Sequence, residues 1–226
     1  MNQPAMQIVG ILLAAGRGTR FDASGVQNKL LQSLPDGTSV AVQSARNLLA
    51  HLPRVLAVVG PHANLPPGND RGLDLDLGLD LAQVLRAVGC EVTVCAQADA
   101  GMGTSLAHAL REAEILQAFG WQASGWQPSG WLIALADMPF VKTSTIEALL
   151  AAARQTDSNH IIAPWFQGQR GHPVLFRRPH LADLLALQGE RGASSLFKNW
   201  PCHPVVVTDP GVLQDIDTPD DLKNHV

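Results

Sequence analysis

The stretch "VGILLAAGRGTRFDASGVQNKLL", Val9 to Leu31, joins an apolar run to a glycine-rich break. With Gln7 and Ile8 before it, the apolar part spans 7–14 almost without a polar residue, the mark of a strand buried on both faces. It stops at Ala15, Gly16, Arg17, Gly18, Thr19 and Arg20, and Lys29 follows nine residues after Arg20. Glycines after a buried parallel strand let the backbone turn sharply and aim amide hydrogens at an anion. Arg17, Arg20 and Lys29 add positive charge where a parallel sheet carries its ligands, beyond the carboxyl ends of the strands. The loop is not a Walker A motif, because no Gly-Lys-Ser/Thr follows at the required spacing. Nor does it complete the dinucleotide pattern, since Phe21 stands where the third glycine would be. The reading is a phosphate-binding loop; the alternative is a plain strand-to-helix turn.

The rest of the chain repeats the strand-then-helix pattern. Residues 54–60, 91–96, 130–139 and 160–164 read as further strands, and 38–51, 104–116 and 143–154 as helices, the first with Thr38 or Ser39 as its cap. Such alternation predicts an α/β fold: a Rossmann-like, mostly parallel sheet with helices on both faces. Two stretches read as loop insertions in a single domain over 1–226. One is a Leu/Asp alternation near 64–80, and the other lies near 117–130, taking in most of "GWQASGWQPSGW" at 120–131. The latter is read as a loop packing its tryptophans on the body.

Composition excludes several classes. A net charge of −4 supplies no general basic field for nucleic acid or an anionic membrane. Three cysteines, Cys90, Cys95 and Cys202, lack metal-type spacing and fit a reduced, cytoplasmic setting as ordinary buried thiols. No apolar run reaches the roughly 20 residues of a membrane span, and the start of the chain lacks a basic signal-peptide region.

Candidate chemistry gathers at strand ends. Asp137 closes the most apolar strand, on the same sheet edge as the glycine loop, where carboxylates hold Mg²⁺ against a nucleotide's phosphates. Its alternative is to cap the helix at Thr143. Near the end, "DIDTPDDL" places Asp215 and Asp217 before a helix start in which Pro219, Asp220 and Asp221 suit the first turn. Asp215 and Asp217 could complete a metal site with Asp137. Thr104 and Ser105 follow the Gly101-Met102-Gly103 turn and read either as ligand contacts or as a helix cap.

Seven segments, in order, resemble the MobA-like nucleotidyltransferases, and most closely the molybdenum cofactor cytidylyltransferases. They are LLAAGRGTRF (12–21), NKLL (28–31), GMGTSLAHAL (101–110), LADMPF (135–140), GQRGHPVLF (168–176), GERGASSLF (189–197) and DIDTPDDL (215–222). The resemblance implies transfer of a nucleotidyl group from a nucleoside triphosphate to a phosphorylated acceptor, with release of pyrophosphate. It assigns the nucleotide to Leu13, Ala14, Ala15, Gly16, Arg17 and Gly18, with Gly103, Thr104 and Ser105 at base and ribose. Arg20 and Lys29 match its triphosphate-binding cations, Asp137 its principal Mg²⁺ ligand and Asp217 a second. Ala14-Ala15-Gly16, where guanylyltransferases carry a double glycine, leans toward CTP, because a methyl on Ala15 leaves less room for a purine. Arg170 and His172 are the candidate contacts to the acceptor phosphate; a packed loop histidine is the other reading of His172. The implied partners are CTP, a phosphorylated pterin and a client molybdoenzyme of xanthine dehydrogenase type. Three departures stand out: an insertion, "DASGVQ", between Arg20 and Lys29; Glu190 where the family usually has Asp; and Ser194 where it often has Arg. Guanylyltransfer, another phosphorylated acceptor and a non-catalytic NTP-binding regulator are the alternative functions.

Overall fold

A computed structural model describes residues 6–22, 27–61, 81–119 and 128–223. Its eight strands are β1 (Ile8–Ala14), β2 (Val55–Val59), β3 (Glu91–Val94), β4 (Gly130–Leu135), β5 (Ile161–Phe166), β6 (Gln169–Arg170), β7 (Val174–Arg177) and β8 (Cys202–Val206). They form one sheet in the order β3-β2-β1-β4-β7-β5-β6, with β8 also on β5. Pairing is parallel along β3-β2-β1-β4 and between β5 and β8, and antiparallel where β7 joins β4 to β5 and β6 returns along β5. The helices are α1 (Val40–Leu49), α2 (Leu81–Ala87), α3 (Met102–Phe119), α4 (Thr143–Gln155), α5 (Leu181–Leu185) and α6 (Pro219–Lys223). No described helix is long and apolar enough to cross a membrane.

The unbroken apolar runs follow from two cores, one on each face. Successive side chains of a strand point to opposite faces. In β1, Ile8, Leu12 and Ala14 pack into the core shared with α1, α2 and α4, while Val9 and Ile11 enter the one beneath α3 and α5. β2 and β4 divide likewise: Val55, Ala57 and Leu132 go to the first core, and Leu56, Val58, Trp131 and Ile133 to the second. A strand sandwiched this way has no polar face to show in its sequence.

The antiparallel β6 and β7, and β8 running parallel beside β5, are the additions to the expected pattern. β5 and β6 turn through Gln167 and Gly168, both at positive φ (49° and 80°), a left-handed pair that suits a two-residue hairpin. The expected insertion near 64–80 lies outside the described residues, as do 120–127 of the Gly-Trp stretch. Residues 117–119 continue α3 instead of forming a loop, and Trp131 is a fully buried residue of β4. Ser39 does stand at the start of α1, but its side chain makes no capping bond.

A buried histidine locks the far end of the sheet. His180 accepts a hydrogen bond at Nδ1 from the Arg177 amide (2.9 Å), which leaves Nε2 protonated to donate to the Asn159 carbonyl (3.1 Å). Trp200 and Phe176 meet its ring edge-to-face, at centroid distances of 4.6 and 5.8 Å. Burial lowers its pKa, so the folded protein holds the neutral ring. The stability this contributes is complete above about pH 6.5 and is lost as the pH falls through the lowered folded value, because the unfolded chain then binds more protons. The urea midpoint should therefore be lower at pH 5.5 than at pH 7.5, and His180→Gln should flatten that dependence. A midpoint equal at the two pH values would detach the ring from the stability curve.

Candidate active site

β1 and β4 run parallel with Leu13 opposite Leu135, so their carboxyl ends open at the same edge. The glycine loop leaves β1 there and the Asp137 turn leaves β4. The loop's Gly18 has φ +63°, a left-handed turn that favours glycine, and a Cβ there would lie in ordinary contact with the stem of Lys29. Lys29 itself opens a short 3-10 turn, Lys29–Leu31, that Asn28 caps by accepting from the Leu30 amide (3.0 Å). The Gln27 amide donates to Asp22 Oδ2 (2.8 Å), tying together the two ends of the extra loop. Lys29 thus returns beneath the glycine loop despite its distance in sequence.

Its ammonium lies between two carboxylates, 2.7 Å from Asp137 Oδ2 and 3.0 Å from Asp217 Oδ1. Arg20, exposed, forms an ion pair with the other oxygen of Asp217. The Ile216 amide donates to the Asp137 carbonyl (2.9 Å), and Asp221 accepts from the amides of Asp217 and Thr218, so the C-terminal segment is pinned against the β4 turn. Asp215 joins the group. Oxygens of Asp137, Asp215 and Asp217 lie within 4.8 Å of one another. Burial works against the Lys29 ammonium, but Asp137 and Asp217 outweigh it and its pKa is raised. The Asp215 carboxyl, exposed but partly desolvated, is pushed up by that desolvation and then by its two acidic neighbours, with its own backbone amide and Lys29 opposing.

These residues fit a divalent cation. Carboxylate oxygens are the hard donors that Mg²⁺ and Mn²⁺ select. Asp137 Oδ1 is moreover buried without a hydrogen-bond partner among the described residues, and an unpaired buried acceptor is costly unless something binds it. The alternative role of Asp137 as a helix cap falls instead to Asp209. That buried carboxylate accepts from the Lys142 amide (2.8 Å) and the Thr145 hydroxyl (2.7 Å) at the start of α4.

A cavity of about 570 Å³ opens beside the carboxylates, walled by Ala15, Gly16, Arg17, Asp99, Ser105 and Asp137. The first turn of α3 faces it, and a helix N-terminus favours anions. Arg17 is held across its mouth by a paired contact to Asp99, a residue not singled out from sequence although it stands two positions before Gly101. Among the other expected nucleotide residues, Leu13 also lines the cavity, while Ala14 is buried in the first core. Gly103 and Thr104 serve a neighbouring loop. The Gly103 amide donates to the Gly189 carbonyl (2.8 Å), and the Gly189 amide donates to the Thr104 hydroxyl (3.1 Å). α3 starts at Met102, so neither Thr104 nor Ser105 is its cap; the Ser105 hydroxyl turns back to the Gly101 carbonyl.

A second cavity, about 240 Å³, adjoins the first through Leu13, Leu135, Met102 and Glu190. Arg170 and His172 both line it. The Arg170 guanidinium stacks 3.7 Å over the Phe197 ring. The His172 pKa is lowered by burial and then by Arg170, with Asp137 opposing, so the ring offers a neutral polar edge. Glu190 borders both cavities from the loop seated on Gly101 and Gly103, and Ser194 lines the second.

Residues 10–205 match the MobA-like NTP transferase domain. The chain belongs to this family. It is 26% identical to the purine catabolism protein PucB of Bacillus subtilis (strain 168) over 227 residues, covering 95% of this chain and 93% of PucB. Its fold is similar to that of Rv0371c from Mycobacterium tuberculosis H37Rv in complex with manganese (TM-score 0.68, 24% identity, 97% of each chain). It is also similar to Mth528, a nucleotidyl transferase from Methanothermobacter thermautotroptrophicus (TM-score 0.72, 19% identity, 97% of this chain and 95% of that one).

Proposed function

We propose that this chain is a Mg²⁺-dependent cytidylyltransferase that transfers CMP from CTP to the phosphate of a molybdopterin-type acceptor and releases pyrophosphate. The observation that carries the reading is the meeting of the Asp137, Asp215, Asp217, Lys29 and Arg20 group with a nucleotide-sized cavity that opens into a second one bearing Arg170. A volume of about 570 Å³ falls within the roughly 300–1,000 Å³ usual for ligand sites.

The acceptor's phosphate oxygen attacks the α-phosphorus of CTP in line. A bond forms between them, the bond from the α-phosphorus to its bridging oxygen breaks, and pyrophosphate leaves with the electron pair. A phosphate monoester has its second pKa near about 6, so the nucleophile is largely dianionic at neutral pH and needs no strong general base. Lys29 and Arg20 neutralise the departing pyrophosphate, Arg170 orients the acceptor phosphate, and the glycine loop's amides hold the triphosphate. A divalent ion on Asp137, Asp217 and Asp215, when bound, supplies Lewis-acid charge to the α-phosphate. His172, being neutral, contributes a polar contact and no charge.

The steric argument for CTP rests on Ala15, which lines the cavity. One methyl is worth about 1–3 kcal/mol of discrimination. Ala15→Gly should therefore shift the CTP-to-GTP preference toward GTP by about tenfold or more, read in a competition assay; an unchanged ratio would remove Ala15 from base selection. PucB is named for purine catabolism, which accords with a client of xanthine dehydrogenase type. The decisive assay is pyrophosphate release with each nucleoside triphosphate, with and without molybdopterin. Release with GTP alone supports a guanylyltransferase, and release only with another phosphorylated acceptor redirects the assignment. No release with any acceptor supports a non-catalytic NTP-binding regulator.

A further inference from the structure

Lys29 occupies the space between the very carboxylates that suit a metal ion. Its ammonium takes Asp137 Oδ2 and Asp217 Oδ1, while Arg20 takes the remaining oxygen of Asp217. Lone pairs committed to an ammonium are unavailable to a divalent cation, and the two positive charges repel. We propose that Lys29 is an exchange residue: it holds the carboxylate site together while the site lacks a metal, and metal binding releases it to the triphosphate. This rests on the proposed function in taking the three carboxylates as metal ligands and a triphosphate as the occupant of the larger cavity.

Three features on the chain support the exchange. Within the group, three carboxylates face two cations, leaving one net negative charge that does not invite a triphosphate; a divalent ion turns it to one net positive charge. Asp137 Oδ1, left unpaired by Lys29, is an open first ligand. The lysine has somewhere to go, because the larger cavity reaches Asp137 and the ammonium sits at the end of a four-carbon stem. Gly18 places no side chain in the space beside that stem, where a Cβ would touch Lys29 Cγ at 3.4 Å.

The consequence is reciprocal coupling. Metal binding works against the ammonium when no nucleotide is present. A bound triphosphate takes over Lys29, so metal and nucleotide each strengthen the other's binding by the same factor. Lys29 is a nucleotide ligand in one state and an occupant of the metal site in the other.

Mn²⁺ binding followed by electron paramagnetic resonance, without any nucleotide, tests this apart from the question of substrate. Lys29→Met should bind Mn²⁺ about tenfold more tightly than the native chain, within the usual range of such couplings. It should also lose most of the further gain that CTP gives the native protein. Equal or weaker Mn²⁺ binding by a folded Lys29→Met chain overturns the exchange. A second measurement needs no variant: acylation of lysine amines on the intact protein, read by mass spectrometry with exposed Lys142 as the internal standard. Mn²⁺ should raise labelling of Lys29 relative to Lys142, and CTP added with Mn²⁺ should suppress it. Labelling of Lys29 that does not change with Mn²⁺ overturns the proposal. Failure of CTP to act as a substrate leaves both nucleotide-free measurements intact and counts against the functional assignment alone.

Discussion

Asp137→Ala should abolish nucleotidyl transfer while leaving the fold in place. Asp137 is the member of the carboxylate group that stands at the end of a central parallel strand, contacts Lys29 and keeps a buried oxygen unpaired. On the proposed function, removing it takes away a metal ligand and half of the Lys29 anchor together, so charge stabilisation in the transition state is lost. Loss of a single preorganised electrostatic contact costs about 10²–10³ in kcat, and here two functions fail at once, so the loss should be at least about 10³-fold. The backbone link from Ile216 to the Asp137 carbonyl survives the substitution, which is why circular dichroism and the urea midpoint should stay near native. Mn²⁺ binding should disappear in parallel. Turnover within tenfold of native would place the chemistry elsewhere.

Gly103→Ala should cost activity by a different route, and less of it. A methyl there would collide with the Arg191 carbonyl oxygen and lie 3.0 Å from that of Gly189 and 3.2 Å from that of Gln188. All three are backbone atoms, so no flexible side chain can give way. The loop over 188–192 must lift, breaking the bonds that Gly103 and Thr104 make to Gly189. Glu190, which borders both cavities, moves with it. A displacement of about 1 Å near reacting groups costs on the order of 10²-fold in rate. The expected result is a drop of about that size in kcat/KM for the acceptor, with Mn²⁺ binding unchanged because the carboxylates lie on other segments. Native kinetics would mean that the loop does not shape the site.

The sheet's parallel half was legible because a strand covered on both faces leaves an unbroken apolar run, as in β1, β2 and β4. The rest of the sheet was not. The antiparallel β6 and β7 are two and four residues long, and β8, parallel to β5, carries two prolines at or beside it, so period and length give little signal. Site residues divide in a similar way. Asp137 announced itself as an acid ending an apolar strand, and Asp217 as an acid before a helix start. Asp99 lacked any such context, because its partner Arg17 lies 82 positions away. Gly103 and Thr104 stand next to cavity residues in sequence, yet their hydrogen bonds go to a loop that only folding brings to them.

The sequence by itself determined the α/β class, the glycine loop with its cations, the acids at strand and helix ends and the membership of the MobA-like family. These depend on residue type at short range: periodicity, turn chemistry and charge next to a strand end. Only the tertiary structure decided that Lys29 lies between Asp137 and Asp217, that Arg17 answers Asp99, and that the 188–192 loop rests on two glycines of α3's entrance. Those pairings join residues about 80 to 190 positions apart. Nothing local specifies such a meeting; it follows from the parallel strands delivering their carboxyl ends, and the loops that leave them, to one edge.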